Sequence, residues 1–332
     1  MTIQTVEKDG VTFITIANAA GLSLTLSDFG AAIYEIRYQN APMNIAEIDK
    51  KAWLTSSAYF GKSVGRIAGR INGGVLHYRG KDYQLDVNEG GNTLHGGKGG
   101  FSFLPFKMDV VRQGKAVAVD FYLTSKSGDM GFPGEVALRV RYLIEDEEAS
   151  FKILYDAKVS EETPLNFTCH AYFNLGGDET IEEQRLWIDA DKTETYDPSL
   201  IPLGFVASPR CLDFTKAKAV GQDIMDPYLQ KSRALGYDHC FAFKDNQGQA
   251  PVLRLESEKY GMEITTSLPA VQVYSDNYPR LGALLNIGRR EKQHSGLAIE
   301  PVYLPDDFAS MSAVPGTNKH NWITYRFYAK ER

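Results

Sequence analysis

An all-β fold, a large antiparallel β-sandwich, is the class this sequence predicts. Three observations lead there: apolar residues recur at every second position in one run after another, turn-forming clusters separate the runs, and helical periodicity is almost absent. Leu22, Leu24 and Leu26 alternate with Ser23, Thr25 and Ser27. Val117, Val119, Phe121 and Leu123 repeat the pattern, as do Val136, Leu138, Val140 and Tyr142, and then Ile323, Tyr325 and Phe327. Side chains of a strand point alternately to its two faces, so this period puts one face in a core and the other in solvent. Between the runs stand Asn72-Gly73-Gly74, Glu89-Gly90-Gly91-Asn92, Gly176-Gly177-Asp178 and Asp245-Asn246-Gln247-Gly248, residue types that supply tight turns. The one helical expectation is a short helix over 220–229, around Pro227.

The chain has 332 residues and no proline-rich, serine-rich or charge-block linker, so the reading is one domain over 1–332. No fixed repeat length recurs, which disfavours a propeller. A formal net charge of -6 argues against nucleic acid or an acidic membrane surface as partner. The three cysteines, Cys169, Cys211 and Cys240, have neither metal-knuckle nor redox-pair spacing. The N-terminal stretch does not read as a secretory signal, and no run is long and apolar enough to span a bilayer, so the expected location is cytoplasmic.

Five segments carry candidate chemistry. In Asn166 to Gly177, a strand places Asn166, Thr168, His170, Tyr172 and Asn174 on one face and Phe167, Cys169, Ala171, Phe173 and Leu175 on the other. The first face is polar yet has no Lys, Glu or Asp, unlike an ordinary solvent face; it suits a cleft that hydrogen-bonds a neutral polyol. In Gly90-Gly91-Asn92-Thr93-Leu94-His95-Gly96-Gly97, glycines let the backbone approach a ligand closely and present His95 from a loop. Arg66 and Arg70 lie in a small-residue stretch from which they can clamp hydroxyls or a carboxylate, although for Arg66 a surface position is equally open. Asp238, after Gly236-Tyr237, reads by itself as a turn residue. Glu300 sits in the apolar run Gly296 to Tyr303, where desolvation raises a carboxyl pKa toward the range of a general base. Gln272 and Tyr274 share a face of the run Ala270 to Tyr274. His77, His294 and His320 stand in polar surroundings and are expected to be solvated, and Asp306-Asp307 reads as a loop. No two histidines are spaced i, i+4, so no metal is expected.

Taken in order, GRIAGRINGG, NEGGNTLHGG, CHAYFNLGG, GYDHCF, VQVYSDNY and GLAIEP resemble the aldose 1-epimerase (galactose mutarotase) family over nearly the whole chain. The resemblance implies a galactose mutarotase-like supersandwich, a large antiparallel sandwich in accord with the alternation. It implies that Glu300 is the general base at the anomeric hydroxyl and His170 the general acid at the ring oxygen. It further implies that His95 lies near that oxygen, and that Arg70, Asp238 and Gln272 hold sugar hydroxyls. A free monosaccharide is then the substrate, no cofactor is needed, and the protein is a monomer or homodimer. Cys169 before the histidine and the stretch after Glu300 depart from commoner versions. The rivals are a hexose-6-phosphate 1-epimerase, which needs an added basic cluster, a non-catalytic carbohydrate-binding protein, which leaves Glu300 unexplained, and a glycosidase using Glu300 with Asp238, which leaves the histidines without a role.

Overall fold

The computed structural model describes residues 1–231 and 234–331. Among the described residues the secondary structure is strands joined by turns, with helices of at most six residues. A nine-stranded antiparallel sheet runs in the order Lys107–Gln113, Ala116–Ser125, Val136–Glu145, Ser150–Val159, Lys319–Ala329, Tyr260–Thr266, Leu253–Glu256, Arg185–Ile188, Lys218–Ala219. A seven-stranded sheet runs Pro202–Ala207, Ala190–Tyr196, Asp238–Phe243, Ala270–Tyr274, Leu297–Val302, Tyr172–Phe173, Asn44–Ile45. The N-terminal strands Thr2–Lys8, Val11–Ala17, Leu22–Ser27, Ala32–Tyr38 and Ala41–Pro42 form a five-stranded meander.

The alternation in the sequence is realised side chain by side chain. Val136, Leu138, Val140, Tyr142 and Ile144 are buried, while Arg139 and Arg141 on the other face reach Asp156 and Asp120, their directly opposite neighbours, both at 2.6 Å. Cross-strand pairs of opposite charge contribute roughly 0.2–1 kcal/mol each, so the apolar face carries most of the stabilisation. Ile14, Leu24 and Ile36 of the meander, Val119, Val140, Ile153 and Ile323 of the nine-stranded sheet, and Val271, Val273, Leu297 and Ile299 of the seven-stranded sheet belong to one buried cluster. Leu297–Val302 is buried on both faces. Leu297 and Ile299 enter that cluster, so the period of two turns Ala298, Glu300 and Val302 to the opposite face, away from it.

Three expectations need correction. The segment 166–177 is not one strand. Thr168–Cys169 pairs with Ser63–Val64, and Tyr172–Phe173 pairs with Leu297–Val302 and Asn44–Ile45. Between them His170 leaves both ladders and bonds the 61–62 backbone instead: its N–H donates to the Lys62 carbonyl and its carbonyl accepts from Gly61 N–H, each at 2.9 Å. The helix expected over 220–229 is a 3₁₀ turn, Val220–Gln222, and a one-turn helix, Pro227–Gln230. Asp223 between them is tied to Arg210 and Lys218, and Asp226 with Pro227 starts a helix only there. His294 is buried, not solvated, at 5 % exposure. Its loop folds back so that His294 N–H reaches the Asp276 carbonyl at 3.1 Å and Nδ1 lies 2.8 Å from the Ser275 carbonyl. His77 and His320 are exposed, as expected.

Candidate active site

A cavity of about 340 Å³ opens beside the 298–302 face of the seven-stranded sheet, and Glu300, His170, His95, Arg70, Asp238 and Gln272 all line it. Register explains how residues so distant in sequence meet. Gln272 stands directly opposite Glu300 on the neighbouring strand, and on the next strand Asp238 stands opposite Tyr274. Asp238 therefore opens a strand instead of occupying a turn. The short pair Arg70–Ile71 with Thr93–Leu94 sets Leu94 opposite Arg70, which brings His95 beside the arginine.

His95 adopts a left-handed φ of 52°, followed by Gly96 and Gly97 at 87° and 90°. This curl lets Gly69 N–H donate to His95 Nδ1 at 3.2 Å while His95 N–H donates to the Gly69 carbonyl at 3.1 Å. With Nδ1 accepting, the neutral ring carries its proton on Nε2. A side chain at Gly96 would run into the Gly65 carbonyl, so the loop requires glycine there.

At the floor, His170 Nε2 lies 3.4 Å from Glu300 Oε1, and both residues are almost wholly buried. Burial pushes the Glu300 carboxyl well above the ordinary carboxylate value; the negative charge of Asp238 adds to this and Arg70 opposes it. Burial pushes His170 down to about 4 and takes His95 well below the usual imidazole value. Burial thus disfavours the charged form of both partners in this contact.

Asp238 is also raised by burial, but Arg70 and Gln272 counter this. Gln272 Nε2 donates to Asp238 Oδ1 at 2.6 Å, Arg70 Nη1 stands 3.7 Å from Oδ2, and Arg70 Nε reaches Glu89 at 3.3 Å. Burial works against the charge of Arg70, yet Asp238 and Glu89 outweigh it and hold the guanidinium above its usual value. Tyr196 OH caps the network, bonding Gln272 Oε1 at 3.4 Å and accepting from Cys240 N–H at 3.1 Å.

The polar face expected over 166–174 is divided. Asn166, His170 and Tyr172 line the cavity, whereas Thr168 is enclosed elsewhere and Asn174 binds Gln184, Asp178 and Ser295. Arg66 is neither a clamp nor a surface charge. It is 2 % exposed and donates to Ser125 and to the carbonyls of Lys126, Pro133 and Gly134. Glu89, Tyr59, Tyr196, Tyr278, Arg280, Asp276 and Asp306 join the lining without having been singled out for the site. Glu89 sits in a cluster that reads only as a turn, and the others have no local pattern that marks them.

One ligand atom each from His95, His170 and Glu300 lie within 4.8 Å of one another, a separation a metal ion could bridge. Two features do not fit such an ion. The Gly69 bond leaves His95 offering an N–H at Nε2 where a ligand needs a lone pair, and His170 Nδ1 has no protein acceptor among the described residues. Metal-bound imidazoles almost always donate that second N–H.

Residues 12–318 match the family model described as Aldose 1-epimerase. Over 306 residues the chain is 32% identical to the aldose 1-epimerase of Escherichia coli K12, covering 88% of this chain and 86% of that one. It is 34% identical to the galactose mutarotase of Bos taurus over 260 residues, 77% of this chain and 73% of that one. The crystal structure of a galactose 1-epimerase from Lactobacillus acidophilus superposes with a TM-score of 0.87 at 25% identity, covering 99% of this chain and 100% of that one. Together with the register that gathers Glu300, His170, His95, Arg70, Asp238 and Gln272 around one cavity, these matches show that the chain belongs to the aldose 1-epimerase family.

Proposed function

We propose that this protein is an aldose 1-epimerase that interconverts the α and β anomers of free aldoses such as glucose and galactose, with Glu300 as base and His170 as acid. The observation that carries the reading is the buried contact of 3.4 Å between Glu300 and His170 beneath a cavity rimmed by hydrogen-bonding groups. Opening a pyranose removes the proton of the C1 hydroxyl and delivers one to the ring oxygen. Those two oxygens share C1, so two groups in contact can serve both. Glu300 carboxylate with His170 imidazolium becomes Glu300 carboxylic acid with neutral imidazole as the ring opens. Rotation about C1–C2 presents the other carbonyl face, and closure returns both protons. The pair holds one proton throughout, which matches the opposed shifts of its two members. His95, with its N–H on Nε2, is suited to donate to a sugar oxygen.

Arg70, Asp238 and Gln272 then hold hydroxyls. A phosphorylated sugar suits the cavity poorly. The two arginines lining it among the described residues are already engaged, Arg70 by Glu89 and Asp238 and Arg280 by Glu47 at 2.6 Å.

Polarimetry on freshly dissolved α-glucose and α-galactose, on their 6-phosphates, and with and without EDTA tests the assignment. Faster mutarotation of the free sugars, unchanged by EDTA, is the expected result. Acceleration confined to the phosphates, or loss of activity on chelation, overturns it.

A further inference from the structure

His170 has an unusual set of neighbours for a group that must bind and release a proton. Its Nε2 faces Glu300, but its buried Nδ1 has no protein hydrogen-bond partner among the described residues. In a catalytic triad a carboxylate on that nitrogen fixes the ring; here the ring is fixed by something else. The Tyr59 ring lies 5.6 Å away at an interplanar angle of 25°, and the Tyr172 ring 5.1 Å away at 32°. Tyr59 also meets His95 edge-on, with ring centres 4.8 Å apart. Phe103 backs Tyr59, and Phe60 backs Tyr172.

Tyr59 is held in place at a conformational cost. Its φ of 58° is in the left-handed region, which a bulky side chain rarely enters. The turn survives because Lys62 N–H bonds the Tyr59 carbonyl at 2.9 Å and the 61–62 backbone bonds His170 in both directions. The same turn that strains Tyr59 is thus anchored to the backbone of the histidine it flanks.

We propose that Tyr59 and Tyr172 are positioning residues for the reaction: their rings aim His170 at Glu300, and their π faces stabilise the imidazolium that proton delivery requires. The proposal rests on the general-acid reading of His170. Both centroid distances are within the roughly 6 Å over which a cation is attracted to an aromatic face. The titratable groups facing His170 are Glu300, His95 and the two tyrosines, and the other charged groups lining the cavity among the described residues are Arg70, Glu89, Asp238, Asp276, Arg280 and Asp306. Burial depresses His170, and under this proposal the two ring faces oppose that depression. The tyrosine hydroxyls have no part in this, which separates ring from phenol experimentally.

The test combines NMR titration of the His170 ring, assigned with His170→Asn, with polarimetry on Tyr59→Phe, Tyr59→Leu and Tyr172→Leu. The Phe variant should keep the titration midpoint and kcat within about twofold, since the π face remains. Each Leu variant should lower kcat by about tenfold with little change in KM, and should move the His170 midpoint down by about one pH unit, the same factor of ten. Progressive ring fluorination of phenylalanine at position 59 weakens the π face at constant shape, so it reports even if a leucine variant fails to fold. Under this proposal kcat and the midpoint fall together along that series. A folded Tyr59→Leu protein with the midpoint unmoved or raised, or a flat fluorination series, overturns the proposal. The titration does not depend on turnover: near-normal activity in His170→Asn would defeat the general-acid reading while leaving the effect of the rings on His170 measurable.

Discussion

Replacing Glu300 by glutamine separates an enzyme from a sugar-binding protein most sharply. The amide keeps the shape and one oxygen of the carboxyl but cannot take up the anomeric proton. A positioned acid or base contributes roughly 10²–10⁴-fold, so Glu300→Gln should lower kcat by at least about 10²-fold, and His170→Asn likewise. The structure also says what should not change. Arg70 and Gln272 each engage Asp238, and among the described residues none of the three bonds Glu300, so KM should stay within a few-fold. Glu300 carries a carboxyl that burial disfavours as an anion, so a neutral amide should leave stability at pH 7 intact. Because both residues serve one ring-opening step, the double variant should lose far less than the product of the two single losses. Polarimetry on both singles and the double, with circular dichroism for folding, completes the test. A folded Glu300→Gln protein with near-normal turnover removes the carboxylate from the mechanism, and multiplicative losses in the double variant show that the two residues act in separate steps.

Four further outcomes follow from the geometry. The active state has one proton on the pair, so a second proton must bind to abolish it; kcat/KM should be flat through neutral pH and fall on the acid side near the His170 value of about 4, and an acid limb centred at 6.5 would refute the buried-histidine assignment. Gln272→Leu removes the 2.6 Å donor to Asp238, a hydrogen bond to a charged group worth roughly 1.5–3 kcal/mol, so KM should rise about tenfold or more with a smaller effect on kcat; an unchanged KM would exclude Gln272 from sugar binding. Glu291 is 2 % exposed, and burial raises it from 4.5 to about 7 although the Arg280 backbone and guanidinium oppose this. The folded state therefore binds more protons than the unfolded chain between those values, and the resulting penalty, about 3 kcal/mol above pH 7, vanishes below pH 4.5; denaturation of Glu291→Gln against the parent across that range should show the difference shrinking as pH falls, and a pH-independent difference would contradict it. Gly96→Ala drives a side chain into the Gly65 carbonyl and displaces His95, so both Tm and kcat should drop, whereas unchanged kcat would show that the His95 loop does not matter to catalysis.

How far the sequence could be read depended on how local each cause was. The strands Leu22–Ser27, Ala116–Ser125, Val136–Glu145 and Lys319–Ala329 follow from adjacent alternation, which is a local property. Glu300 stood out because a carboxyl amid apolar neighbours is anomalous without any tertiary knowledge, and His95 because flanking glycines are local too. The errors have non-local causes. His294 has polar neighbours in sequence, and only the return of its loop onto Ser275 and Asp276 buries it. Arg66 is satisfied by Ser125 and by carbonyls at 126, 133 and 134, some sixty residues on, so nothing near it distinguishes a structural arginine from a surface one. Asp238 stands two residues after Gly236 and looks like a turn until its register against Tyr274 is known. Tyr59 shows no signal at all, because its role depends on a backbone angle that no residue pattern encodes.

Asp238 and Glu300, two of the carboxyl groups lining the cavity, differ in the partners they meet. Asp238 and Glu300 are both raised by burial, so desolvation alone does not separate them. Their partners do. Asp238 is met by the Gln272 amide and faces the Arg70 guanidinium, which favour its charged form and leave it as a fixed acceptor for a hydroxyl. Glu300 meets His170, which is itself depressed by burial and can take up the proton that Glu300 releases. Donors beside a carboxylate favour its ionised form, whereas a carboxyl beside a second weak base can exchange a proton with it. Under the proposed mechanism that difference gives the chemistry to Glu300 and the grip to Asp238, because Gln272 bonds Asp238 across the ladder and Glu300 is left facing the histidine.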